Sequence, residues 1–304
     1  MRFKGRHLVG AAIVAVALVA VGCSSSSKSK TTTGGGKTLT IGAFNFSEST
    51  ILADIYMGAL KSKGYTATVR PNLGSREVVE PALERGELDL YPGYAATDLE
   101  FFNNNAGEAT PDTNATVEKL RARLAPKGLA ALDPAPAIDS NAFAVTKATA
   151  DKYKVTKLSD LAPVANQLVL GGPPECPKRP FCGAGLQKTY GLNFKDFKAV
   201  GLGAVADTAL EKGDVDVALV LSTDGLARGK FTILDDDKKL QNADNVVPII
   251  RSATVNAQAR AVLDQVSAAL TTDDLAALNK RADTDKEDPD VLAKEWLKNH
   301  GFPG

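Results

Sequence analysis

Strand-like and helix-like patterns of apolar residues alternate along the chain. Residues 38–43 (TLTIGA) alternate apolar and polar side chains, which is the pattern of a half-buried strand. Ser47 can cap a helix, and apolar residues then recur at helical spacing as far as Gly64. Further strand-like segments follow at 65–70 and 88–91, with a helical segment between them. This alternation predicts an α/β domain built on a mainly parallel sheet.

One unit of this pattern occurs twice. Residues 82–90 (ALERGELDL) are echoed by residues 209–217 (ALEKGDVDV). Each copy reads as a helix end, a glycine able to adopt the left-handed conformation, an acidic turn and a short apolar strand. We therefore expect two similar lobes. Because the chain after residue 257 has helical periodicity, we also expect it to return to the first lobe, with a hinge near Ser140 and near Asn245.

The N-terminal segment has a different pattern. Three basic residues precede an almost unbroken apolar run over residues 8–21, which is shorter than the roughly 20 residues that span a bilayer. Such a run is typical of a secretory signal. It ends in AVGC, which resembles a bacterial lipobox, and this predicts a lipoprotein signal peptide at residues 1–22 and lipidation (palmitate) of Cys23. A plain signal peptide is the alternative.

Residues 23–36 follow as a polar segment rich in Ser, Lys, Thr and Gly. A segment without apolar side chains cannot offset the entropy of ordering, so we interpret it as a flexible tether. The predicted location is the extracytoplasmic face of the cell membrane, reached through a lipid anchor. The folded body then divides into a first lobe of residues 37–140 plus 245–304 and a second lobe of residues 141–244.

Composition and charge remove several classes of function. The 36 basic and 36 acidic residues give a formal net charge of zero, without the basic field that nucleic-acid binding requires. The histidines are His7, in the leader, and His300, so histidine-based catalysis and histidine-rich metal sites are not expected. No GxxxxGK[ST] phosphate loop occurs. The chain is therefore not predicted to be an enzyme or to carry a cofactor; an exported enzyme on a related scaffold is the alternative.

Two further cysteines, Cys176 and Cys182, lie in the Pro-rich segment PPECPKRPFC. An exported protein occupies a compartment in which disulfides persist. A disulfide between these cysteines is favoured over two free thiols, and it would rigidify one loop.

Several motifs resemble one known family, the glycine betaine/choline-binding proteins of osmoprotectant ABC importers. The resemblance extends from about Lys37 to Phe302. It is carried by residues 41–49 (IGAFNFSES), 73–77 (LGSRE), 89–97 (DLYPGYAAT), 179–180 (RP), 222–225 (STDG) and 270–279. It implies a two-lobed α/β fold of the periplasmic-binding-protein type (type II), hinged, with the ligand cleft between the lobes. Clefts at the carboxyl ends of parallel strands are the usual ligand sites of such sheets.

The resemblance also implies site residues. Tyr94 matches an aromatic cage residue, Thr97 a polar contact beside it, and Arg179 the arginine that pairs with a ligand carboxylate. Quaternary ammonium cannot donate hydrogen bonds and is held by aromatic faces, whereas a carboxylate is held by arginine or backbone N–H groups. Without the resemblance, Tyr94 could be a half-buried residue at a strand end and Arg179 a surface charge.

Other positions depart from the family pattern. Phe44 stands where relatives of the betaine type carry Lys, and Asn141, Leu221 and Asp244 stand where some relatives carry cage tyrosines. Asp244 could pair with a cation, and Asn141 could hydrogen-bond a polar ligand. Phe143 could restore an aromatic face, although its alternation with its neighbours suits a core position equally well. The candidate ligand-binding residues are Phe44, Tyr94, Thr97, Asn141, Arg179, Leu221 and Asp244.

These observations together predict a solute-binding lipoprotein of an ABC importer. It would capture an osmoprotectant such as glycine betaine, choline or carnitine and deliver it to a membrane permease, with the permease and its ATPase supplied by other chains. The alternatives are a ligand-sensing lipoprotein and an importer subunit for a different small polar solute.

Overall fold

The computed structural model describes residues 38–302, which form two five-stranded sheets flanked by helices. The predicted signal peptide, the tether and lipidated Cys23 lie outside the described residues. The strands are β1 (Leu39–Gly42), β2 (Ala67–Arg70), β3 (Leu90–Tyr94), β4 (Leu129–Ala131), β5 (Asn141–Val145), β6 (Val169–Gly172), β7 (Asp196–Ala199), β8 (Val217–Leu221), β9 (Thr232–Leu234) and β10 (Val246–Arg251).

The two sheets share one topology. The first has the order β2-β1-β3-β10-β4 and the second the order β7-β6-β8-β5-β9. We call each sheet with the helices packed on it a lobe. Each sheet is mainly parallel, as expected, with four strands running in one direction. The exceptions are β10, which runs antiparallel to β3 and β4, and β5, which runs antiparallel to β8 and β9. β5 and β10 are the strands that the chain enters on crossing from the other lobe.

The helices connect and cover these strands. They are α1 (Ser47–Ser62), α2 (Arg76–Arg85), α3 (Ala95–Phe102), α4 (Thr113–Leu124), α5 (Lys147–Tyr153), α6 (Gly183–Gly185), α7 (Ala204–Glu211), α8 (Gly225–Lys230), α9 (Ala257–Ala269), α10 (Thr272–Asp283) and α11 (Pro289–Asn299). α9, α10 and α11 all pack against α1, so the C-terminal helices complete the core of the first lobe. Among residues 38–302, no helix combines the length and the apolar character needed to cross a bilayer.

The repeated unit occupies equivalent places in the two lobes. In the first lobe α2 ends at Arg85 and is capped by Gly86, whose φ of 78° is left-handed, and the chain then enters β3. In the second lobe α7 is followed by Gly213, with a φ of 70°, and then by β8. A glycine adopts this conformation without the steric cost that a Cβ brings. β3 and β8 are the central strands of their sheets, so both units lead the chain toward the space between the lobes.

Two crossing segments connect the lobes. The first precedes β5 and the second precedes β10, and they pair through a bridge between Ile138 and Asn245. The backbone N–H of Asp139 also donates to the carbonyl of Asp244 at 3.1 Å. The crossings therefore place Asp139 and Asp244 side by side at the junction of the lobes.

The start of α1 differs from the expectation that Ser47 caps it. Ser47 is the first helical residue, and its hydroxyl donates to Asp283 Oδ1 at 2.6 Å. The hydroxyl of Ser49 accepts a hydrogen bond from the backbone N–H of Phe44 at 2.8 Å. These contacts fix the loop between β1 and α1, which carries two phenylalanines to the edge of the cleft.

Candidate ligand-binding site

A cavity of about 720 Å³ lies between the two sheets. The first lobe contributes the loop after β1, the start of α2 and the end of β3, and the second lobe contributes the loops after β6 and β7 and the end of β8. The crossing segments contribute Asp139 and Asp244. Because central strands of both sheets end here, the cavity has the position expected of a ligand site in a two-lobed α/β protein.

The predicted site residues do not all reach this cavity. Those that line it are Phe44, Tyr94, Thr97, Asn141, Leu221 and Asp244. Arg179 lines two other spaces instead: a small adjoining one of about 90 Å³, which Arg76 also lines, and one of about 580 Å³ that it shares with Glu77 and Phe101. Its Nη2 donates to Glu77 Oε1 at 2.7 Å, and its guanidinium lies 5.8 Å from the centroid of the Phe101 ring. The side chain thus bridges the lobes at the edge of the cleft.

Three aromatic rings form one wall of the cavity. The rings of Phe44 and Phe46 are nearly parallel, with centroids 6.0 Å apart and an interplanar angle of 5°. Tyr94 lies 6.5 Å from Phe44 and 6.2 Å from Phe46. The sequence reasoning missed Phe46, although its spacing two residues beyond Phe44 in the loop after a strand was a usable signal. Packed rings of this kind offer an apolar, π-rich surface to a cation.

The hydroxyl of Tyr94 is committed to the protein. It donates to Glu48 Oε1 at 2.7 Å, inside a region where Glu48 is only 2% exposed. The pKa of Tyr94 is raised well above its usual value, mainly by burial and secondly by the nearby carboxylate of Glu48. This hydroxyl therefore keeps its proton. A ligand would therefore meet Tyr94 through its ring.

A network of buried acids joins the lobes beneath Tyr94. Thr223, in the turn after β8, has its hydroxyl 2.7 Å from Glu48 Oε2 and 2.8 Å from Asp139 Oδ1. Asn279 of α10 donates both to Glu48 Oε2 and to that hydroxyl, at 2.6 and 3.0 Å. One hydroxyl has one proton to donate, so both contacts form only when one carboxyl also carries a proton. Burial raises the pKa of both Glu48 and Asp139, in agreement with a shared proton.

Thr97 and Asp244 form a second polar feature of the cavity. Asp244 Oδ1 accepts the backbone N–H of Thr97 at 2.9 Å, and Oδ2 accepts the Thr97 hydroxyl. Asp244 is 6% exposed, and its burial raises its pKa to about 6 despite these bonds. The carboxylate is therefore held at the wall of the cavity, charged at neutral pH and able to face a cation.

Asn141 and Leu221 lie opposite each other in the pairing of β5 with β8. The Nδ2 of Asn141 donates to the carbonyl of Phe181 at 3.0 Å, which ties β5 to the loop carrying Arg179. In that loop a disulfide joins Cys176 and Cys182, with the sulfurs 2.05 Å apart. The amide of Asn141 thus supports the cavity wall, and Leu221 contributes aliphatic surface to it.

Arg76 is a cavity residue that the sequence reasoning did not assign. Arg76 is the first residue of α2. Its side chain is 10% exposed and reaches the cavity beside the aromatic wall. Its Nε donates to Asp98 Oδ1 and lies 3.5 Å from Glu80 Oε1. The guanidinium carbon is 5.0 Å from the centroid of the Phe44 ring. Its position in the motif LGSRE was known, but only the folded chain brings it to Asp98 and Phe44.

The fold and the site define a class: a two-lobed binding protein that holds a small ligand between its lobes. A family model for OpuAC, the substrate binding domain of the ABC-type glycine betaine transport system, matches residues 37–299. The chain is 28% identical over 278 residues to the glycine-betaine-binding protein of Pseudomonas aeruginosa, covering 87% of this chain and 88% of that protein. It is also 28% identical over 280 residues to the carnitine transport binding protein OpuCC of Listeria monocytogenes, covering 88% of each.

Solved structures agree. The crystal structure of a glycine betaine/carnitine/choline ABC transporter matches with a TM-score of 0.67 and 27% identity, over 87% of this chain and 99% of that one. Apo YehZ from Escherichia coli matches with a TM-score of 0.62 and 25% identity, over 88% and 100% of the two chains.

The chain belongs to the family of substrate-binding domains of ABC-type glycine betaine transport systems. These matches confirm the predicted family and the two-lobed α/β fold. They also confirm that the chain is a solute-binding component of an ABC importer and not an enzyme. Such a component acts outside the cytoplasmic membrane, takes up a small molecule and works with a permease.

Proposed function

We propose that this protein captures a quaternary ammonium osmoprotectant, such as glycine betaine, choline or carnitine, in the cavity between its lobes. The observation that carries the proposal is the wall of Phe44, Phe46 and Tyr94 in a cavity that also contains the carboxylate of Asp244. Aromatic faces attract a methylated ammonium, and a buried carboxylate adds Coulomb attraction in a site of low dielectric. The names of the relatives, which include binding proteins for glycine betaine and carnitine, support the same ligand class.

The proposed site includes Phe46 and has Arg179 at its edge. Its other residues are Phe44, Tyr94, Thr97, Asn141, Leu221 and Asp244. In this proposal Thr97 holds Asp244 in place and Asn141 holds the Phe181 carbonyl, so both position the wall instead of contacting the ligand. The lobes are proposed to close on the ligand about the paired crossing segments, with the boundaries at residues 140 and 245.

The proposed location is the outer face of the cytoplasmic membrane, with a signal peptide at residues 1–22, a lipid on Cys23 and a tether to residue 36. This part of the proposal is supported by the lipobox-like AVGC and the polar composition of the segment after it. A single acyl chain anchors weakly, so stable attachment requires more than one chain on the cysteine. Labelling with a radioactive fatty acid, compared with Cys23→Ser, tests it.

Calorimetric titration of the full-length protein in detergent tests the ligand class. We expect saturable, one-to-one binding of at least one of glycine betaine, choline and carnitine, without binding of an uncharged sugar. Phe46→Leu, which keeps apolar volume but removes a ring, should weaken that binding by about tenfold. Phe102→Leu is the matched control, since Phe102 is also half-buried but lies outside the cavity. If only a solute without a quaternary amine binds, the proposed ligand class is wrong.

A further inference from the structure

We propose that Arg76, and not Arg179, holds the anionic end of the ligand, so that this site prefers a quaternary amine with a carboxylate over one without. The inference rests on the proposed function, because it concerns the second half of the same ligand. It makes Arg76 a specificity-determining residue within the cavity.

Arg179 is engaged elsewhere. Its Nη2 forms an ion pair with Glu77 Oε1 at 2.7 Å, and the guanidinium lies over the Phe101 ring, in a space outside the main cavity. Arg179 does not line the main cavity, whereas Arg76 does. The arginine implied by the family resemblance therefore serves as a bridge between lobes in this protein.

Arg76 has the geometry of a carboxylate anchor. Its bond to Asp98 and its approach to Glu80 both use Nε, and the side chain lines the main cavity and the small space that adjoins it. A guanidinium fixed in this way presents two parallel N–H donors, the arrangement that a carboxylate accepts best. The Phe44 ring, 5.0 Å away, supports the guanidinium from one side.

The charges around Arg76 permit this role. Burial raises the pKa of Glu80 well above its usual value and so favours its neutral form, while Nε of Arg76 donates to Asp98. Arg76 places a guanidinium at the edge of the aromatic wall, beside the Phe44 ring. Asp244 provides the opposite charge in the same cavity. A zwitterion with a quaternary amine and a carboxylate complements this pair.

In the wild-type protein, two ligands distinguish the contribution of the carboxylate to affinity from that of the quaternary ammonium group. Glycine betaine and choline share the trimethylammonium group and differ in having a carboxylate or a hydroxymethyl group. Calorimetry with the full-length protein should show glycine betaine binding at least about tenfold more tightly, as hydrogen bonds to a charged group require. Equal affinities would overturn the inference and leave the proposed function intact. No binding of any quaternary amine would overturn the proposed function, and the inference with it.

Variants then identify the arginine. Arg76→Gln combined with Asp98→Asn removes a charge of each sign and should weaken glycine betaine by about 10- to 100-fold, with choline changed by less than about threefold. Arg179→Gln should weaken both ligands by the same factor, because it loosens a bridge between lobes. A selective loss of glycine betaine in Arg179→Gln would overturn the inference. That single variant decides the question if the double variant does not fold, since a retained preference for glycine betaine supports Arg76.

Discussion

The two lobes reach the ligand cavity with the same scaffold but with different side chains. In each lobe a helix, a left-handed glycine and a short strand lead to the cleft, through Gly86 and β3 in the first and Gly213 and β8 in the second. β3 ends in Tyr94, beside the phenylalanines and Arg76, whereas β8 ends in Leu221. The first lobe thus offers rings and a cation, and the second offers mainly aliphatic surface.

The aliphatic side of the cavity is the more exposed. Val205 at the start of α7 is 59% exposed, while Phe44 and Tyr94 are 3% and 5% exposed. Buried, interlocked groups are pre-organised for a ligand, whereas exposed apolar groups gain their contacts when a cleft closes. We infer that the first lobe determines which ligand is chosen and that the second lobe covers it.

The largest difference in ligand affinity is expected between substitutions at the end of β3 in the first lobe and at the end of β8 in the second. Tyr94→Ala removes a ring of the wall and should weaken binding of the quaternary amine by at least about 30-fold. Leu221→Ala, at the matching end of β8, should weaken it by less than about threefold because Leu221 is half-buried and carries no charge or ring. Both affinities can be measured by calorimetry.

Tyr94→Phe serves as the control for that comparison. It keeps the ring but removes the donor to Glu48, so affinity should stay within about threefold while the unfolding free energy falls by about 1–3 kcal/mol. Equal losses of affinity in Tyr94→Ala and Leu221→Ala would mean that both lobes select the ligand.

The next largest effect is expected on the stability of the protein, from a substitution at the junction of the lobes. Thr223→Val keeps the shape of the side chain and deletes the hydroxyl that Glu48 and Asp139 share. Because both carboxyls are buried, the free energy of unfolding in urea should fall by about 1–3 kcal/mol. Thr208→Val removes an exposed hydroxyl bonded to Ala204 in α7 and should change it by less than about 0.5 kcal/mol. A neutral Thr223→Val would show that the shared proton contributes no stability.

Much of the first lobe could be predicted because local periodicity is sufficient there. β1, α1, β2, α2 and β3 each carry their own pattern, and the repeated helix–glycine–strand unit located the central strand of each sheet. The mixed strand directions could not be predicted in this way. They depend on which strand the chain meets after crossing between lobes, and that information lies in contacts between residues such as Tyr94 and Val246, far apart in sequence.

The site was predictable to the extent that motifs lie at strand ends. Phe44, Tyr94 and Asp244 reach the cavity, whereas Arg179 pairs with Glu77, a partner 102 residues away. A guanidinium on a loop binds the carboxylate that the tertiary structure brings near it, and the loop sequence alone does not contain that partner. Arg76 was overlooked for the converse reason, since its partner Asp98 lies beyond the next strand.

The smallest effect should be a dependence on pH that arises from the crossing segment. The pKa of Asp244 is raised by burial from 3.8 to about 6. Below that pH the carboxyl is protonated and no longer attracts a cation, so affinity for the quaternary amine should fall by about five- to tenfold between about pH 7.5 and about pH 5. The unliganded protein should show the opposite trend from this group. Its folded state binds the extra proton, so stability from Asp244 decreases as pH rises from about 4 to about 6.

Asp244→Asn separates this titration from those of the other buried acids. The variant should bind the quaternary amine at every pH about as weakly as the wild-type protein does at about pH 5, because its side chain stays neutral. Its unfolding free energy should lose the part of the pH dependence that Asp244 contributes. If Asp244→Asn keeps the full pH dependence of binding, the titrating group is a different buried acid, and Asp139, which also lines the cavity and has a raised pKa, is the next to replace. The charge that attracts the ligand would then come from the first crossing segment, which carries Asp139, and not from the second, which carries Asp244.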